Sequence, residues 1–287
     1  TNSATGTTVS KEDFAAIGAA REAGRQGVTG IAKAQVGSGK LNRKLRVGIN
    51  TWAGHAPGIV ANGGLMGGDK ASIYLSKYGL DVEFTLLEDP QTKLAAFLKG
   101  DIDIMWDTVD SWAREASALA ENGKGGKAII QQDWSRGGDG IVALTGIKSI
   151  EDLKGKKIAT TRFTPSHWLL LYLLSQSGLT PADKAQIEKN LVFTAEAPLA
   201  AAAFKSKNVD AAVTWEPDLS GAVKARGDEA YILVSTTAAT NVIADVLVAQ
   251  NDLVDKSPET VTAFIHGWFE GIDAIAKDPA HAYMVVG

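Results

Sequence analysis

Residues 94–107 read LAAFLKGDIDIMWD, and residues 201–216 read AAAFKSKNVDAAVTWE. In each stretch an Ala-Ala-Phe segment is followed six residues later by aspartate, and an apolar run then ends in tryptophan plus a carboxylate. The Ala, Leu and Phe spacing predicts a helix end, for which Gly100 and Asn208 supply stops, and the apolar run predicts a strand. Two helix–strand units can look alike by chance, but the repeat favours two similar α/β lobes that face one cleft.

The flanking sequence extends this alternation. From Leu45 to Glu121 the apolar spacing predicts strand, helix, strand, helix, strand and helix, which indicates a doubly wound, mostly parallel sheet. A pair of strands around the turn at 137–140 is a candidate hinge between the two lobes, and a second series of helices and strands follows it. Residues 1–44 are rich in Gly, Ser and Thr apart from one helical stretch, so they are predicted to be an arm or linker.

The composition excludes several classes of function. The 287 residues are 45% hydrophobic and 22% charged, which is typical of a soluble globular protein. A net charge of -4 gives no basic footprint for nucleic acid, and no apolar run reaches the length of about 18 residues that a transmembrane helix needs. The absence of cysteine removes disulfides, thiolate metal sites and cysteine nucleophiles, and the four histidines lack metal-ligand spacing.

Four motifs in order resemble one known family: KYGLDVEF at 77–84, KGDID at 99–103, SIEDLKGKKIA at 149–159 and DAAVTWEP at 210–217. The chain is similar to substrate-binding proteins of ABC importers, in the nitrate/sulfonate/taurine and thiamine-precursor (NMT1/THI5-like) branch. This resemblance covers about Leu45 to Tyr283. It implies the α/β, two-lobed type II periplasmic binding protein fold, in which the lobes close on a small solute.

The resemblance also implies the domain organisation, because in this family the chain returns to the first lobe after about Ser235. We therefore expect lobe 1 at 45–135 and 236–287, and lobe 2 at 136–235, after the arm at 1–44. It implies a periplasmic or extracytoplasmic location and an ABC permease as the membrane partner. The arm could tether the protein to a membrane, and the helical pattern that reaches Gly287 without a stop suggests that the natural chain continues.

Four tryptophans lie where strands are predicted to end. In an open α/β sheet, ligands bind at the carboxyl ends of the strands. The candidates for an aromatic box around a ligand are Trp52, Trp106, Trp134 and Trp215, and packing under loops is the alternative. The three remaining tryptophans lie in predicted helices and are expected in the core: Trp112, Trp168 and Trp268.

Carboxylates follow or accompany these tryptophans. Asp107, Glu216 and Asp245 could hold an ammonium group, or they could form a solvated strand end or an internal lobe–lobe ion pair. Three further polar residues at the same strand ends are candidate ligand contacts: Thr51, His55 and Thr108. No nucleophile or oxyanion hole accompanies the carboxylates, so no catalytic residue is assigned.

A candidate anion site precedes the predicted helix that begins at Pro165. The free backbone N–H groups of a helix N-terminus bind anions, and the sequence TRFTPS at 161–166 adds hydroxyl groups and a positive charge. The residues concerned are Thr161, Arg162, Thr164 and Ser166. A plain N-cap with a surface arginine remains the alternative.

Together these features predict a monomeric solute receptor without a cofactor or metal. It would bind a small organic anion or zwitterion, such as taurine or an alkanesulfonate, and close by hinge motion. One alternative is a protein that binds a thiamine-pyrimidine precursor, or a related enzyme that resembles the thiamine-pyrimidine synthases. The synthase reaction uses a cysteine-containing motif, and this chain has no cysteine. Another alternative is a ligand-sensing envelope module of a longer polypeptide.

Overall fold

The computed structural model describes residues 41–67 and 71–286. These residues form two compact units. One contains residues 45–56 and 82–251, and it holds every strand of the described chain. The described part of the other contains residues 41–44, 57–67, 71–81 and 252–286, and its regular structure is helical. The predicted arm lies outside the described residues except for its last four positions.

The strands are β1 (Leu45–Ile49), β2 (Val82–Leu86), β3 (Ile104–Thr108), β4 (Gly126–Trp134), β5 (Asp139–Leu144), β6 (Ile158–Thr161), β7 (Leu191–Thr194), β8 (Ala211–Trp215), β9 (Ala230–Ser235) and β10 (Ala244–Gln250). The α-helices are α1 (Ala56–Asn62), α2 (Ile73–Tyr78), α3 (Pro90–Lys99), α4 (Val109–Glu121), α5 (Pro165–Gln176), α6 (Pro181–Lys189), α7 (Ala197–Lys205), α8 (Asp218–Arg226), α9 (Asn251–Lys256), α10 (Pro258–Lys277) and α11 (Pro279–Val286). Among the described residues, every helix is too short or too polar to span a bilayer.

The strands form two mixed sheets. The first has the order β2-β1-β3-β10-β4 and the second the order β7-β6-β8-β5-β9. In the first sheet β10 is antiparallel to both β3 and β4. In the second sheet β5 is antiparallel to both β8 and β9. An antiparallel strand begins at the edge where its parallel neighbours end, so residues at the start of β5 and β10 lie beside the carboxyl ends of β8 and β3.

The repeated sequence motif has the same structural role in both sheets. The carboxylate of Asp103 accepts a hydrogen bond from the backbone N–H of Arg46, at the start of β1 (3.0 Å). The carboxylate of Asp210 accepts from the backbone N–H of Lys157, just before β6 (2.8 Å). Each aspartate therefore aligns the strand that it precedes with that strand's parallel neighbour.

The helix ends follow the sequence prediction only in part. Gly100 ends α3 in the left-handed conformation, with φ of 78°. After α7, however, it is Lys207 and not Asn208 that adopts a positive φ, of 62°. Glycine ends the first helix because it has no Cβ and so adopts the left-handed conformation without a steric clash. The second depends on a turn whose geometry the residue type does not reveal.

The helical unit has its own aromatic core. The ring of Phe264 in α10 stacks on Tyr74 of α2, with centroids 5.5 Å apart, and it also contacts Trp268 at 5.8 Å. Two glycines of α10 permit this packing. A Cβ on Gly267 would lie 2.2 Å from the ring of Tyr74, and a Cβ on Gly271 would lie 1.9 Å from the carbonyl oxygen of Pro57. The expectation of a core role is thus met by Trp268, whereas Trp168 is 41% exposed.

Candidate functional site

A pocket lies within the unit that contains both sheets. It is lined by Asn50, Trp52, Trp106, Asp139, Pro165, Trp215 and Asp245. The residues come from the loop after β1, from the facing ends of β3, β5, β8 and β10, and from the start of α5. Both sheets therefore contribute to one site, and the pocket combines indole rings with carboxylates.

Three of the four candidate tryptophans line this pocket, and each indole is fixed by its N–H group. Nε1 of Trp52 donates to Oδ2 of Asp133 (3.1 Å), and Nε1 of Trp106 donates to the carbonyl of Leu87 (3.0 Å). Nε1 of Trp215, from the second sheet, donates to the carbonyl of Thr51 in the loop after β1 (3.1 Å). Trp134 is 37% exposed and is not among the residues that line the pocket.

Asp107 has an internal partner. It is fully buried, and its Oδ1 lies 3.4 Å from Nζ of Lys93, which also lies 3.0 Å from Oε2 of the buried Glu115. Burial raises the pKa of Asp107, and the Lys93 ammonium opposes that rise. The same ammonium lies 4.5 Å from the centroid of the Trp106 ring. Asp107 thus belongs to an ion cluster beneath a wall of the pocket. Its partners Lys93 and Glu115 come from the same predicted lobe, so this is not the lobe–lobe ion pair that the sequence left open.

Asp245 lies in a cluster of carboxylates that faces the pocket. It is 9% exposed and pairs across the sheet with Asp133 on β4. Asp139, at the start of β5, is 3% exposed, and its Oδ2 accepts a hydrogen bond from Oγ of Ser135 (2.6 Å). Asp110, at the start of α4, is near enough for its charge to raise the pKa of both Asp139 and Asp245.

The clustering perturbs the ionisation of these groups. Burial raises the pKa of Asp139 to about 7, against the opposing hydrogen bond from Ser135 and with help from the charges of Asp110 and Asp133. Burial also raises the pKa of Asp245 and of Asp133. Their carboxyl groups lie within hydrogen-bonding reach of each other, a contact that requires a proton or another donor between them.

The loop before α5 approaches the pocket through Pro165. Oγ of Ser166 is buried without a hydrogen-bond partner, whereas Thr164 donates to the carbonyl of Thr161 (2.7 Å). The hydroxyl of Thr161 is paired with that of Thr194 (3.0 Å). Arg162 is exposed, and its guanidinium lies over the ring of Phe193, 4.0 Å from the centroid. Of the predicted anion-site residues, Ser166 alone has a buried polar atom with no partner.

Two of the other predicted contacts, Thr51 and Glu216, have local hydrogen-bond partners. Thr51 donates its hydroxyl to Oε1 of Glu88 (2.7 Å), and Glu216 accepts from the hydroxyl of Ser220 (2.5 Å). Thr108 is buried opposite Asp245 on the neighbouring strand. None of these three side chains is among those that line the pocket.

His55 supports the pocket from behind. Its Nε2 lies 2.7 Å from Oδ1 of Asn50, which lines the pocket, and its Nδ1 lies 2.9 Å from the side chain of Gln132. Burial lowers the pKa of His55 to about 4, although the hydrogen bond with Gln132 opposes this. The imidazole is therefore neutral near pH 7 and positions Asn50.

A family model described as NMT1/THI5 like matches residues 70–282. The chain belongs to the NMT1/THI5-like family. A protein of Brucella abortus (strain 2308), which carries only the provisional name of binding protein, is 29% identical over 195 residues, or 66% of this chain and 56% of the relative. The taurine-binding periplasmic protein of Escherichia coli (strain K12) is 30% identical over 129 residues, or 44% of this chain and 37% of that protein. The chain thus spans little more than half the length of the first of these relatives.

Solved structures of periplasmic binding proteins share the fold of this NMT1/THI5-like chain. The periplasmic aliphatic sulphonate binding protein SsuA from Escherichia coli superposes with a TM-score of 0.63 at 20% identity, over 85% of this chain and 78% of that one. The nitrate-binding protein NrtA from Synechocystis PCC 6803 gives a TM-score of 0.66 at 16% identity, over 84% and 65%. The predicted two-lobed α/β binding-protein fold is confirmed.

Sequence reasoning missed three residues that line the pocket of this NMT1/THI5-like protein, namely Asn50, Asp139 and Pro165. It also missed Asp133, which accepts the indole N–H of Trp52. Asp133 does lie at the carboxyl end of a strand, beside Trp134, but it was assigned no role. Asp139 lies in the predicted hinge turn, away from the carboxyl end of any predicted strand. Asp139 instead begins an antiparallel strand. The signal was present in the sequence, since three aspartates lie near the ends of strands that contain few other charges.

Proposed function

We propose that this chain is the solute-binding receptor of an ABC-type importer, and that its ligand is a small amine-bearing zwitterion of the taurine type. The observation that supports this most directly is the pocket itself, in which three indoles, two carboxylates and the first residue of α5 converge. Indoles suit a short alkyl chain, carboxylates suit an ammonium group, and a helix N-terminus suits an anion. The names of the relatives add support, since one is a taurine-binding and another a sulphonate-binding protein.

The remaining parts of the proposal follow from this role. The receptor would act outside the cytoplasm as a monomer and deliver its solute to a membrane permease. Its lobes would be 45–135 with 236–287, and 136–235, and the segments between β4 and β5 and between β9 and β10 would bend on closure. Because the chain has no cysteine, a single engineered pair of labelled cysteines, one on each sheet, would report closure as a change in energy transfer.

An inorganic anion is a less suitable ligand. Among the described residues, those that line the pocket include two aspartates and no lysine or arginine. Nitrate or phosphate would therefore meet negative charge on entry without a compensating base. The buried, unpartnered hydroxyl of Ser166 beside Pro165 is the group that we propose for the anionic end of a zwitterion.

Isothermal titration against taurine, its longer homologues, alkanesulfonates, nitrate, phosphate and an aminopyrimidine tests the proposal. We expect one-to-one binding of an amine-bearing sulfonate or carboxylate without turnover. Ser166→Ala should weaken that binding by roughly fivefold to tenfold, the value of one hydrogen bond, and it should not lower the melting temperature. Binding of inorganic anions alone, or of none of these solutes, would contradict the proposed ligand class.

A further inference from the structure

The carboxylate cluster contains oxygen atoms that lack a donor. Oδ1 of Asp133, Oδ1 of Asp139 and Oδ2 of Asp245 are all buried, and no amide, hydroxyl or ammonium group of the protein donates a hydrogen bond to them. Asp139 and Asp245 are both more than nine-tenths buried, and both line the pocket. Buried polar groups in folded proteins almost always have a partner, so two such atoms at the pocket, with a third on the strand next to Asp245, indicate a partner that binds there.

The protein supplies no counter-charge to this cluster within its described part. Asp110 and Asp133 influence both Asp139 and Asp245, and Asp139 also influences Asp245, so all of these charged neighbours are acidic. The ionised groups of the neighbouring cluster are arranged differently, because Lys93 lies between Asp107 and Glu115. The fold thus pairs one set of buried carboxylates internally and leaves the other set open to the pocket.

We propose that Asp133, Asp139 and Asp245 form the subsite for a primary ammonium group, with the indoles of Trp52, Trp106 and Trp215 around the carbon atoms next to it. This inference rests on the proposed function and specifies which end of the ligand determines selectivity. A primary ammonium has three N–H donors, which matches the three oxygen atoms that lack one. Its positive charge would also interact favourably with the faces of the surrounding rings.

Other cations fit the same residues less well. In the part of the chain that the structure describes, no group of three or more His, Asp or Glu side chains is arranged so that it could hold a metal ion. A quaternary ammonium would fit an aromatic box, but it has no N–H group and would leave all three oxygen atoms without a donor. The arrangement therefore favours a ligand group that carries both a positive charge and N–H donors, as a primary ammonium does.

A thermal-unfolding experiment with simple salts tests the subsite without knowledge of the natural ligand. The protein is melted at pH 8 in about 50 mM ethylammonium chloride, tetramethylammonium chloride or sodium chloride. If ethylammonium binds in the millimolar range, the melting temperature should rise by about 3 °C over the other two salts. Equal melting temperatures in ethylammonium and tetramethylammonium would overturn the proposal.

Amide variants locate the effect. Asp245→Asn and Asp139→Asn should each abolish the ethylammonium shift, and each should raise the melting temperature of the protein in sodium chloride, because a repulsive charge is removed. The matched control is Asp183→Asn on α6, whose carboxylate contacts Lys154 and Thr180. This variant should keep the shift. Lower melting temperatures for both cluster variants, with the ethylammonium shift intact, would mean that the carboxylates are structural.

The solute titration separates this inference from the proposed function. If an aminoalkanesulfonate binds, its hydroxyl counterpart, such as isethionate for taurine, should bind at least 100-fold more weakly. Binding of the two within threefold would overturn the ammonium subsite and leave the receptor role in place. An ethylammonium shift without binding of any zwitterion would have the opposite meaning: the subsite would stand and the taurine-like ligand would be wrong.

Discussion

At the scale of single residues, the difference between Asp107 and Asp245 shows what determines the role of a carboxylate. Both follow or interrupt apolar strands, and both are buried. Lys93 reaches Asp107 from α3, whereas the nearest charged group to Asp245 is another aspartate. The sequence identified both residues as candidates, but it could not show that a lysine on the preceding helix reaches only one of them.

The Lys93 cluster leads to a prediction for stability. Lys93→Met would leave the carboxylates of Asp107 and Glu115 buried without a compensating charge, so we expect the free energy of unfolding to fall by about 3–5 kcal/mol. Urea denaturation measures this. The matched control is Lys256→Met, whose partner Asp252 is exposed, and that change should cost about 1 kcal/mol or less. A loss for Lys93→Met no larger than that of the control would mean that the cluster does not stabilise the fold.

At the scale of elements, the loop between β4 and β5 closes one side of the pocket by a close approach. A Cβ built on Gly138 would lie 2.2 Å from the six-membered ring of Trp52, which comes from the loop after β1. Another link joins α4, which follows β3 of the first sheet, to the loop after β6 of the second sheet. The hydroxyl of Ser111 donates to the carbonyl of Phe163 (3.2 Å). The close approach of Gly138 therefore restricts the position of the Trp52 indole.

Gly138→Ala should therefore move the indole of Trp52 and weaken solute binding by about tenfold or more, because a displaced wall forfeits packing and the hydrogen bond to Asp133. The fluorescence of Trp52, measured against a Trp52→Phe reference, would report the movement. Gly146→Ala is the matched control, since a Cβ there meets no atom within 4 Å. Equal affinities for the two variants would show that Trp52 does not form a wall of the binding site.

At the scale of the whole molecule, the elements were more predictable than the site. Apolar periodicity predicted the alternation of strands and helices from Leu45 to Glu121, because each element buries one face against a neighbour. Periodicity does not reveal strand direction, so the antiparallel placement of β5 and β10, and with it the position of Asp139, could not be predicted. The partner of Trp215 likewise lies far along the chain, at Thr51. The lobe boundaries stay a prediction.

The buried ionisable groups lead to a prediction for the pH dependence of stability. The pKa of Asp139 is raised by burial to about 7, and those of Asp107, Asp133 and Asp245 are raised for the same first reason. Near pH 6 the folded chain therefore holds protons that the unfolded chain has released. Stability from these groups is fully present below the ordinary aspartate pKa and is lost as the pH rises through the folded values.

His55 acts in the opposite direction. Burial lowers the pKa of His55 to about 4. Between about pH 4 and pH 6.5 the histidine is therefore protonated in the unfolded chain and neutral in the folded chain. Four aspartates against one histidine leave a net loss of stability with rising pH. We expect the melting temperature to fall from pH 5 to pH 8, with a slope near neutrality of about one net proton, or about 1.4 kcal/mol per pH unit.

Calorimetry between pH 5 and pH 8 measures this slope, and two variants assign it. Asp139→Asn should flatten the decline because it removes the group that titrates near pH 7, whereas His55→Gln should steepen it. Ethylammonium should flatten it as well, since a bound cation replaces the proton among the carboxylates. A melting temperature that rises steadily from pH 5 to pH 8 would show that the four carboxylates are ionised and already compensated, and that the pocket does not depend on a ligand for its counter-charge.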